Sequence, residues 1–284
     1  MKTTERPSPW PAIAALILLL PAAVLAQDKL RIYSVNYPLT YFAERLAGDL
    51  AEVTFPAPDD VDPAFWMPDT ETIAAYQAAD LILLNGADYA KWTAKVSLLR
   101  SRLVDTSRAY RDAYIRAAGT VTHSHGPGGE HDHGGLAFTT WLDLSQAAKQ
   151  AEAIAQALIR KRPDAKAQIA RNLDALKADL LALDARMAEI ASTDPRRPLL
   201  GSHPVYQYLA RRYGLNLKSV MWEPEEMPNA AQWGELEERL RTTRRAGCSG
   251  RAIPHGRTSS ACAHWASPAS WWTLARTGPR RATF

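Results

Sequence analysis

Residues 79–86 are Ala-Asp-Leu-Ile-Leu-Leu-Asn-Gly, a short apolar run that ends in turn-forming residues. A run of this kind is typical of a strand that is buried on both faces of a parallel sheet. Earlier in the chain, residues 29–35 alternate polar and apolar side chains, and residues 39–50 have helical spacing. A short strand at 53–55 and a helix at 70–79, with Asp69 as its N-cap, complete a strand–helix–strand–helix order. This order predicts an α/β lobe.

A single apolar stripe dominates the middle of the chain. After Pro163, apolar residues recur in steps of three and four, at Ile169, Leu173, Leu176, Leu180, Leu183, Met187 and Ile190. This spacing places them on one face of a helix of about eight turns, on the order of 40 Å long. Strand-like segments at 199–201 and 217–222, with a helix at 205–213 between them, predict a second α/β lobe after the long helix.

The first 26 residues have the plan of a secretory signal peptide. A basic start is followed by an apolar run over 11–25 and by the small-residue cleavage pattern Val24-Leu25-Ala26. The apolar run is shorter than the roughly 20 residues that cross a bilayer. We therefore expect export with cleavage, and a periplasmic or otherwise extracytoplasmic location.

The positive net charge belongs to the C-terminal end of the chain. Residues 241–284 contain eight arginines, no aspartate or glutamate, and the only two cysteines, Cys248 and Cys262. Removing this segment changes the formal net charge from +4 to −4. The rest of the chain shows no basic footprint of the kind that binds nucleic acid, so we expect no nucleic-acid partner.

Four histidines lie within eleven residues, in the order His123-Ser-His125-Gly-Pro-Gly-Gly-Glu-His131-Asp-His133. Imidazole is a ligand suited to zinc, copper, nickel and iron, and glycines let the backbone bend around an ion. His123 and His125 lie nearer to a strand predicted at 137–141 and are the stronger candidate ligands. His131 and His133 fit a solvated loop that catches metal weakly as well as they fit a site.

Further candidate ligands follow predicted strands of the second lobe. His203 lies where a strand leads into a helix, and Glu223, Glu225 and Glu226 follow the next strand. Ligands of open α/β sheets gather at the carboxyl ends of strands, and a carboxylate can complete a zinc site made of histidines. A helix-start role for His203 and a solvated acidic turn for the glutamates remain open. No nucleophile elbow, phosphate loop or dinucleotide fingerprint occurs in the sequence.

The order and spacing of six blocks resemble the ZnuA-like substrate-binding subunits of bacterial ABC importers for zinc or manganese. The blocks are residues 36–45, Asp62-Pro63, 79–86, the histidine-rich loop at 122–135, Trp141-Leu142-Asp143, and 202–209 with 213–215. The resemblance covers about 30–240. It implies two Rossmann-like α/β lobes joined by a long rigid helix, with metal held in the cleft between them. It also implies a binding protein, not an enzyme, that passes its metal ion to a membrane permease, and we expect it to be a monomer. Because histidine-rich, carboxylate-poor ligands favour zinc, we expect the ion to be Zn²⁺ rather than Mn²⁺ or copper.

Two expected ligand positions depart from this family. The family histidine that follows Asp62-Pro63 is replaced by Ala64, and the one two residues before Trp141 is replaced by Thr139. Only His203 carries over directly. Tight zinc binding needs three or four ligands. Either the site is degraded, or the loop histidines, His123 and His125 first, supply what Ala64 and Thr139 cannot.

The C-terminal segment departs further, because the family continues with Trp-Glu-Gly and later with Asp-Pro. Codons that fit 242–255 can encode HPARWMLWEGDPP in another frame, and codons that fit 271–284 can encode VVDPCANRPPTGDF. We therefore expect a frameshift near Arg241 and an incomplete second lobe. The expected divisions are a signal peptide at 1–26, a first lobe at 27–143, a helical linker at 144–192, a partial second lobe at 193–240 and a disordered, frameshifted tail at 241–284.

Two other functions fit the same residues. One is an extracytoplasmic hydrolase that uses a zinc-bound water, which would turn over ester or peptide substrates. The other is a metal buffer or adhesin on the same fold, which would have no permease as a partner.

Overall fold

The computed structural model of the protein describes residues 28–59, 61–116, 122–124, 130–132, 135–220, 222 and 228–247. The expected signal peptide and most of the arginine-rich tail lie outside these residues. Across the described ranges, no helix is both long enough and apolar enough to cross a membrane.

The first lobe is built on a sheet of four parallel strands in the order β2-β1-β3-β4. The strands are β1 (Leu30–Ser34), β2 (Ala51–Thr54), β3 (Leu81–Leu84) and β4 (Leu103–Asp105). The buried strand predicted from the apolar run at 79–86 is β3, which pairs with both β1 and β4. Leu81, Ile82 and Leu83 are buried, as a strand in the middle of a parallel sheet requires.

Helices α1 (Tyr37–Ala47) and α2 (Thr70–Ala78) connect these strands. Asn36 begins α1, since its side-chain oxygen accepts a hydrogen bond from the Leu39 amide at 3.1 Å. Asp69 caps α2 in the same way through the Thr72 amide at 2.8 Å, which confirms the cap predicted from the sequence.

Two long helices follow the first lobe in sequence, α3 (Leu144–Lys161) and α4 (Lys166–Thr193). With 28 residues, α4 is about 42 Å long, which confirms the long helix. The first half of its apolar stripe, including Ile169 and Leu176, is buried with α1 and α3. Further along the same stripe, the exposed fraction rises to 51% at Leu183 and 64% at Ile190.

The histidine-rich segment contains a short antiparallel hairpin of β5 (Thr122–Ser124) and β6 (Glu130–Asp132). The strand predicted at 137–141 is wrong, because Thr140–Leu142 forms a 3-10 helix. The carbonyl of Phe138 accepts hydrogen bonds from the Asn85 side chain at 2.9 Å and from the Thr140 amide at 2.8 Å. It is thereby satisfied without a neighbouring strand.

The second lobe contains β7 (Leu199–Gly201), α5 (Gln207–Tyr213), β8 (Leu217–Ser219) and α6 (Ala230–Gly247). β7 and β8 form a parallel sheet of two strands. Helix α5 is fixed to α4 because the Asp184 carboxylate accepts hydrogen bonds from Arg212 Nε and from the Tyr213 hydroxyl, both at 2.9 Å. Helix α6 runs past residue 240, where we expected the tail to begin.

Candidate functional site

A buried polar cluster lies at the carboxyl ends of β1 and β3. Asn85 is fully buried, and its Oδ1 accepts hydrogen bonds from Asn36 Nδ2 and from Gln150 Nε2, each at 3.2 Å. The side-chain amide of Asn85 in turn donates to the Phe138 carbonyl. The chain passes from β1 to its neighbour β2 and from β3 to its neighbour β4, on opposite sides in the strand order. The carboxyl ends of β1 and β3 therefore form the switch point at which open α/β sheets place ligands. The cluster fixes the segment that leads to Thr139.

The loop after β2 packs against the segment that contains Phe138. Its Asp62 carboxylate accepts a hydrogen bond from the Ala64 amide at 2.9 Å, and Ala64 is buried. The ring of Phe65 lies edge-on to the ring of Phe138, with centroids 6.1 Å apart. Phe65 follows Ala64 and Phe138 precedes Thr139, so their contact brings these two segments together.

The second lobe contacts the segment around Phe138 through two side chains, Thr139 of the first lobe and Tyr208 of the second. The Thr139 hydroxyl donates a hydrogen bond to the Val205 carbonyl. The Tyr208 hydroxyl accepts from the Ile115 amide at 3.1 Å and donates to the Ala137 carbonyl at 2.9 Å. These bonds join the two lobes beside the first lobe's polar cluster.

His203 lies at this junction. Its carbonyl accepts a hydrogen bond from the Val205 amide at 3.0 Å, and Val205 is the residue that Thr139 contacts. The imidazole is partly buried and its Nδ1 atom is fully so. Val205 thus connects the segment of His203 to Thr139, and the Phe65–Phe138 contact connects the segment of Thr139 to that of Ala64.

The other predicted ligands are placed only in part. The β5–β6 register pairs His123 with His131. His125, His133, Glu223 and Glu225 lie outside the described residues. Among the side chains that the structure does describe, no three from His, Cys, Asp and Glu gather closely enough to hold a metal ion.

Asp62 is a candidate that the sequence interpretation did not include among the ligands. Burial raises the pKa of the nearby Tyr89 hydroxyl well above its usual value, and the Asp62 charge raises it further. The Tyr89 ring packs on Phe138, with centroids 5.2 Å apart. Asp62 therefore places a carboxylate near the segment that carries Thr139, and the Asp62-Pro63 pair is the sequence signal that could have identified it.

Comparison with known families identifies the family to which the chain belongs. The model of the family described as "Zinc-uptake complex component A periplasmic", ZnuA, matches residues 32–246. The chain belongs to the ZnuA family. It is therefore a member of a family of metal-binding, extracytoplasmic substrate-binding proteins of ABC transporters, and the expectation that it is not an enzyme is confirmed.

Curated relatives of this ZnuA-family chain are named for zinc and for manganese. The zinc-binding lipoprotein AdcA of Streptococcus pneumoniae is 29% identical over 218 residues, which cover 75% of this chain and 43% of AdcA. The high-affinity zinc uptake system protein ZnuA of Bacillus subtilis is 26% identical, with 74% and 67% covered. The manganese ABC transporter substrate-binding lipoprotein scaA of Streptococcus gordonii is 28% identical, with 77% and 71% covered. The match thus spans less than half the length of AdcA.

Solved structures confirm the α/β fold. The Zn(II)-bound AdcA of Streptococcus pneumoniae superimposes with a TM-score of 0.62 at 25% identity, and the match covers 76% of this chain and 44% of that one. The metal-dependent lipoprotein YcdH of Bacillus subtilis also gives 0.62, at 22% identity and with 76% of each chain covered. At 22% identity, the likeness to YcdH shows the fold alone.

Proposed function

We propose that this ZnuA-family chain, as a monomer outside the cytoplasmic membrane, captures a transition-metal ion and delivers it to the permease of an ABC importer. Zinc is the metal that fits best. The AdcA and ZnuA relatives are named for zinc, and imidazole donors suit zinc, whereas manganese favours oxygen ligands. Manganese is the second candidate, because scaA is named for it.

The position of His203 carries this proposal. It lies where the Thr139–Val205 hydrogen bond joins the lobes, and its Nδ1 is withdrawn from solvent. Imidazole nitrogen is a common ligand of zinc in proteins. The polar cluster around Asn85 holds the facing segment in place.

The remaining ligands must come from outside the two family positions. Ala64 has no donor atom, and the Thr139 hydroxyl is already engaged with the Val205 carbonyl. We infer that His123 and His125 join His203, with Glu223, Glu225, His131 and His133 as further candidates. Residues directly opposite each other in an antiparallel ladder have Cα atoms about 4.5–5.5 Å apart, so His131 is the alternative partner of His123.

Substitution of His203 tests the site. His203→Ala removes the one ligand that matches the family, and we expect the zinc affinity to fall by about 100-fold or more, because fewer than three protein ligands rarely hold zinc tightly. Isothermal titration with a competing chelator measures this affinity. His264→Ala, which removes a histidine from the tail, is the control and should leave it unchanged. Equal affinities of the two variants would contradict the site.

Deletion of residues 126–135 separates the loop histidines. The deletion removes His131 and His133 but keeps His123 and His125, so we expect tight zinc binding to persist. Loss of tight zinc binding would instead indicate that His131 or His133 is the third ligand.

Delivery to a permease is tested in cells. Deleting the gene should reduce uptake of radioactive zinc at nanomolar concentrations, and the intact mass of the mature protein should correspond to cleavage after Ala26. A protein that binds zinc but whose loss leaves uptake unchanged would instead be the metal buffer or adhesin.

A further inference from the structure

Two short segments of the first lobe, residues 113–116 and 136–139, lie side by side at the two ends of the histidine-rich loop. The Ala137 amide donates a hydrogen bond to the Ile115 carbonyl at 2.8 Å, and an antiparallel bridge lies next to this bond. We call this pair of segments the stem. Because the loop leaves the stem and returns to it, the stem fixes where both ends of the loop lie.

The hydroxyl of Tyr208, on α5 of the second lobe, connects the two segments of the stem. It accepts a hydrogen bond from the Ile115 amide at 3.1 Å and donates one to the Ala137 carbonyl at 2.9 Å. The Tyr208 side chain is fully buried. Removal of this one oxygen would therefore leave a backbone group in each segment without its partner, which costs stability.

Arg211, three residues further along α5, holds the same stem. Its guanidinium donates a hydrogen bond to the Ala113 carbonyl at 2.6 Å and lies over the Tyr208 ring, 5.1 Å from the ring centroid. The two side chains thus contact the stem from one face of α5.

The residues just before α5 contact the stem as well. The Val205 carbonyl accepts a hydrogen bond from the Thr139 hydroxyl, and the Val205 amide donates one to the His203 carbonyl at 3.0 Å. Tyr208 lies only five residues after His203. The segment that carries His203 is therefore the same segment that holds the stem.

We propose that Tyr208 is a positioning residue for the metal, which holds the stem, and with it both ends of the histidine-rich loop, at a fixed place relative to His203. The inference rests on the proposed function, in which His203 and loop histidines bind the same ion. Ligands that are held in place before the ion arrives lose less freedom on binding, which raises affinity.

The coupling between Tyr208 and the metal acts in both directions. A contact that strengthens zinc binding is itself strengthened by bound zinc, by the same factor. Bound zinc should therefore tighten the hydrogen bond between the Ile115 amide and the Tyr208 hydroxyl.

Removal of the hydroxyl alone gives the first test. Tyr208→Phe should lower the zinc affinity by about tenfold, measured by isothermal titration with a competing chelator. Tyr213→Phe is the matched control, because it removes from the same helix a hydroxyl that bonds to Asp184 of α4 at 2.9 Å. Both variants should unfold at a lower temperature than the unaltered chain, but Tyr213→Phe should keep its zinc affinity. Equal zinc affinities of the two variants would overturn the proposal.

Amide hydrogen exchange at Ile115 gives a readout that a loss of stability alone does not change. In chains saturated with zinc, exchange at Ile115 should be slower than without zinc in the unaltered chain and in Tyr213→Phe. In Tyr208→Phe, where this amide has lost its acceptor, zinc should have no such effect. Slowing by zinc that persists in Tyr208→Phe would contradict the coupling and overturn the proposal.

The zinc affinity of the unaltered chain separates this inference from the proposed function. If the unaltered chain binds no zinc, the proposed function fails and the positioning role of Tyr208 fails with it. If the unaltered chain and Tyr208→Phe bind zinc equally tightly, only the positioning role is overturned.

Discussion

At the scale of single residues, the junction around His203, the proposed metal site, depends on groups whose partners are far away in the chain. Asn85 binds Asn36, Gln150 and the Phe138 carbonyl at once, and Thr139 binds the Val205 carbonyl across the lobes. The local pattern around His203 was enough to predict its position. The engagement of Thr139 could not be predicted, because it depends on a contact with a residue 66 positions away.

Substitution of Asn85 should test the polar cluster. Asn85→Ala leaves the Asn36 amide and the Phe138 carbonyl without this partner inside the protein, so we expect the free energy of unfolding to fall by about 2–3 kcal/mol. Chemical denaturation measures this change. Asn216→Ala, which removes one exposed hydrogen bond to the Arg196 carbonyl, should cost about 0.5 kcal/mol or less. Similar losses of unfolding free energy in both variants would contradict a specific stabilising role of the buried cluster.

Restoring a histidine at position 139 should strengthen metal binding. Thr139→His adds an imidazole at the position that contacts Val205, two residues after His203. We expect the zinc affinity to rise by about tenfold or more, since an additional ligand completes the proposed site. Thr139→Val removes the same hydrogen bond without adding a donor, and should leave zinc affinity near that of the unaltered chain. If the two variants bind zinc equally, the junction is not the metal site.

At the scale of elements, amphipathic and buried patterns were sufficient for β3, α2 and α4. Each of these elements is defined by its own sequence, through apolar spacing or a side-chain cap. The prediction of a strand at 137–141 was wrong because its backbone groups are satisfied by Asn85 and by a 3-10 turn. The β5–β6 hairpin was not predicted, because the glycines and histidines of this segment show no alternation of polar and apolar residues.

The attachment of α5 to α4 should depend on pH. Hydrogen bonding from Arg212 lowers the pKa of Asp184, and Tyr213 lowers it further. A lowered pKa in the folded state stabilises the fold above the unfolded pKa of about 4, and this contribution is lost as the pH falls through the folded value. We expect Asp184→Asn to reduce the free energy of unfolding by about 1–2 kcal/mol at pH 7.

The pH dependence is the decisive part of that measurement. The difference between Asp184→Asn and the unaltered chain should shrink as the pH falls below about 4. Asp179→Asn breaks an exposed pair with Arg45, in which the Asp179 side chain is 62% exposed, and should cost about 0.5 kcal/mol or less. A difference for Asp184→Asn that stays constant from pH 7 to pH 3 would contradict the assignment.

At the scale of the whole molecule, the two-lobed plan with its long helix followed from the order of patterns along the chain. The expected incompleteness of the second lobe stays a prediction from the sequence. The ligand set is the part that sequence reasoning settled least. The family histidines are replaced at Ala64 and Thr139, so the site depends on how segments distant in sequence meet.

Metal content is the most direct test of the central claim, that the junction around His203 binds zinc. The purified chain would be equilibrated with micromolar zinc, dialysed against metal-free buffer and analysed by inductively coupled plasma mass spectrometry. We predict about one zinc ion retained per chain, and none in His203→Ala. A chain that retains no zinc, or that retains it equally without His203, would contradict the account.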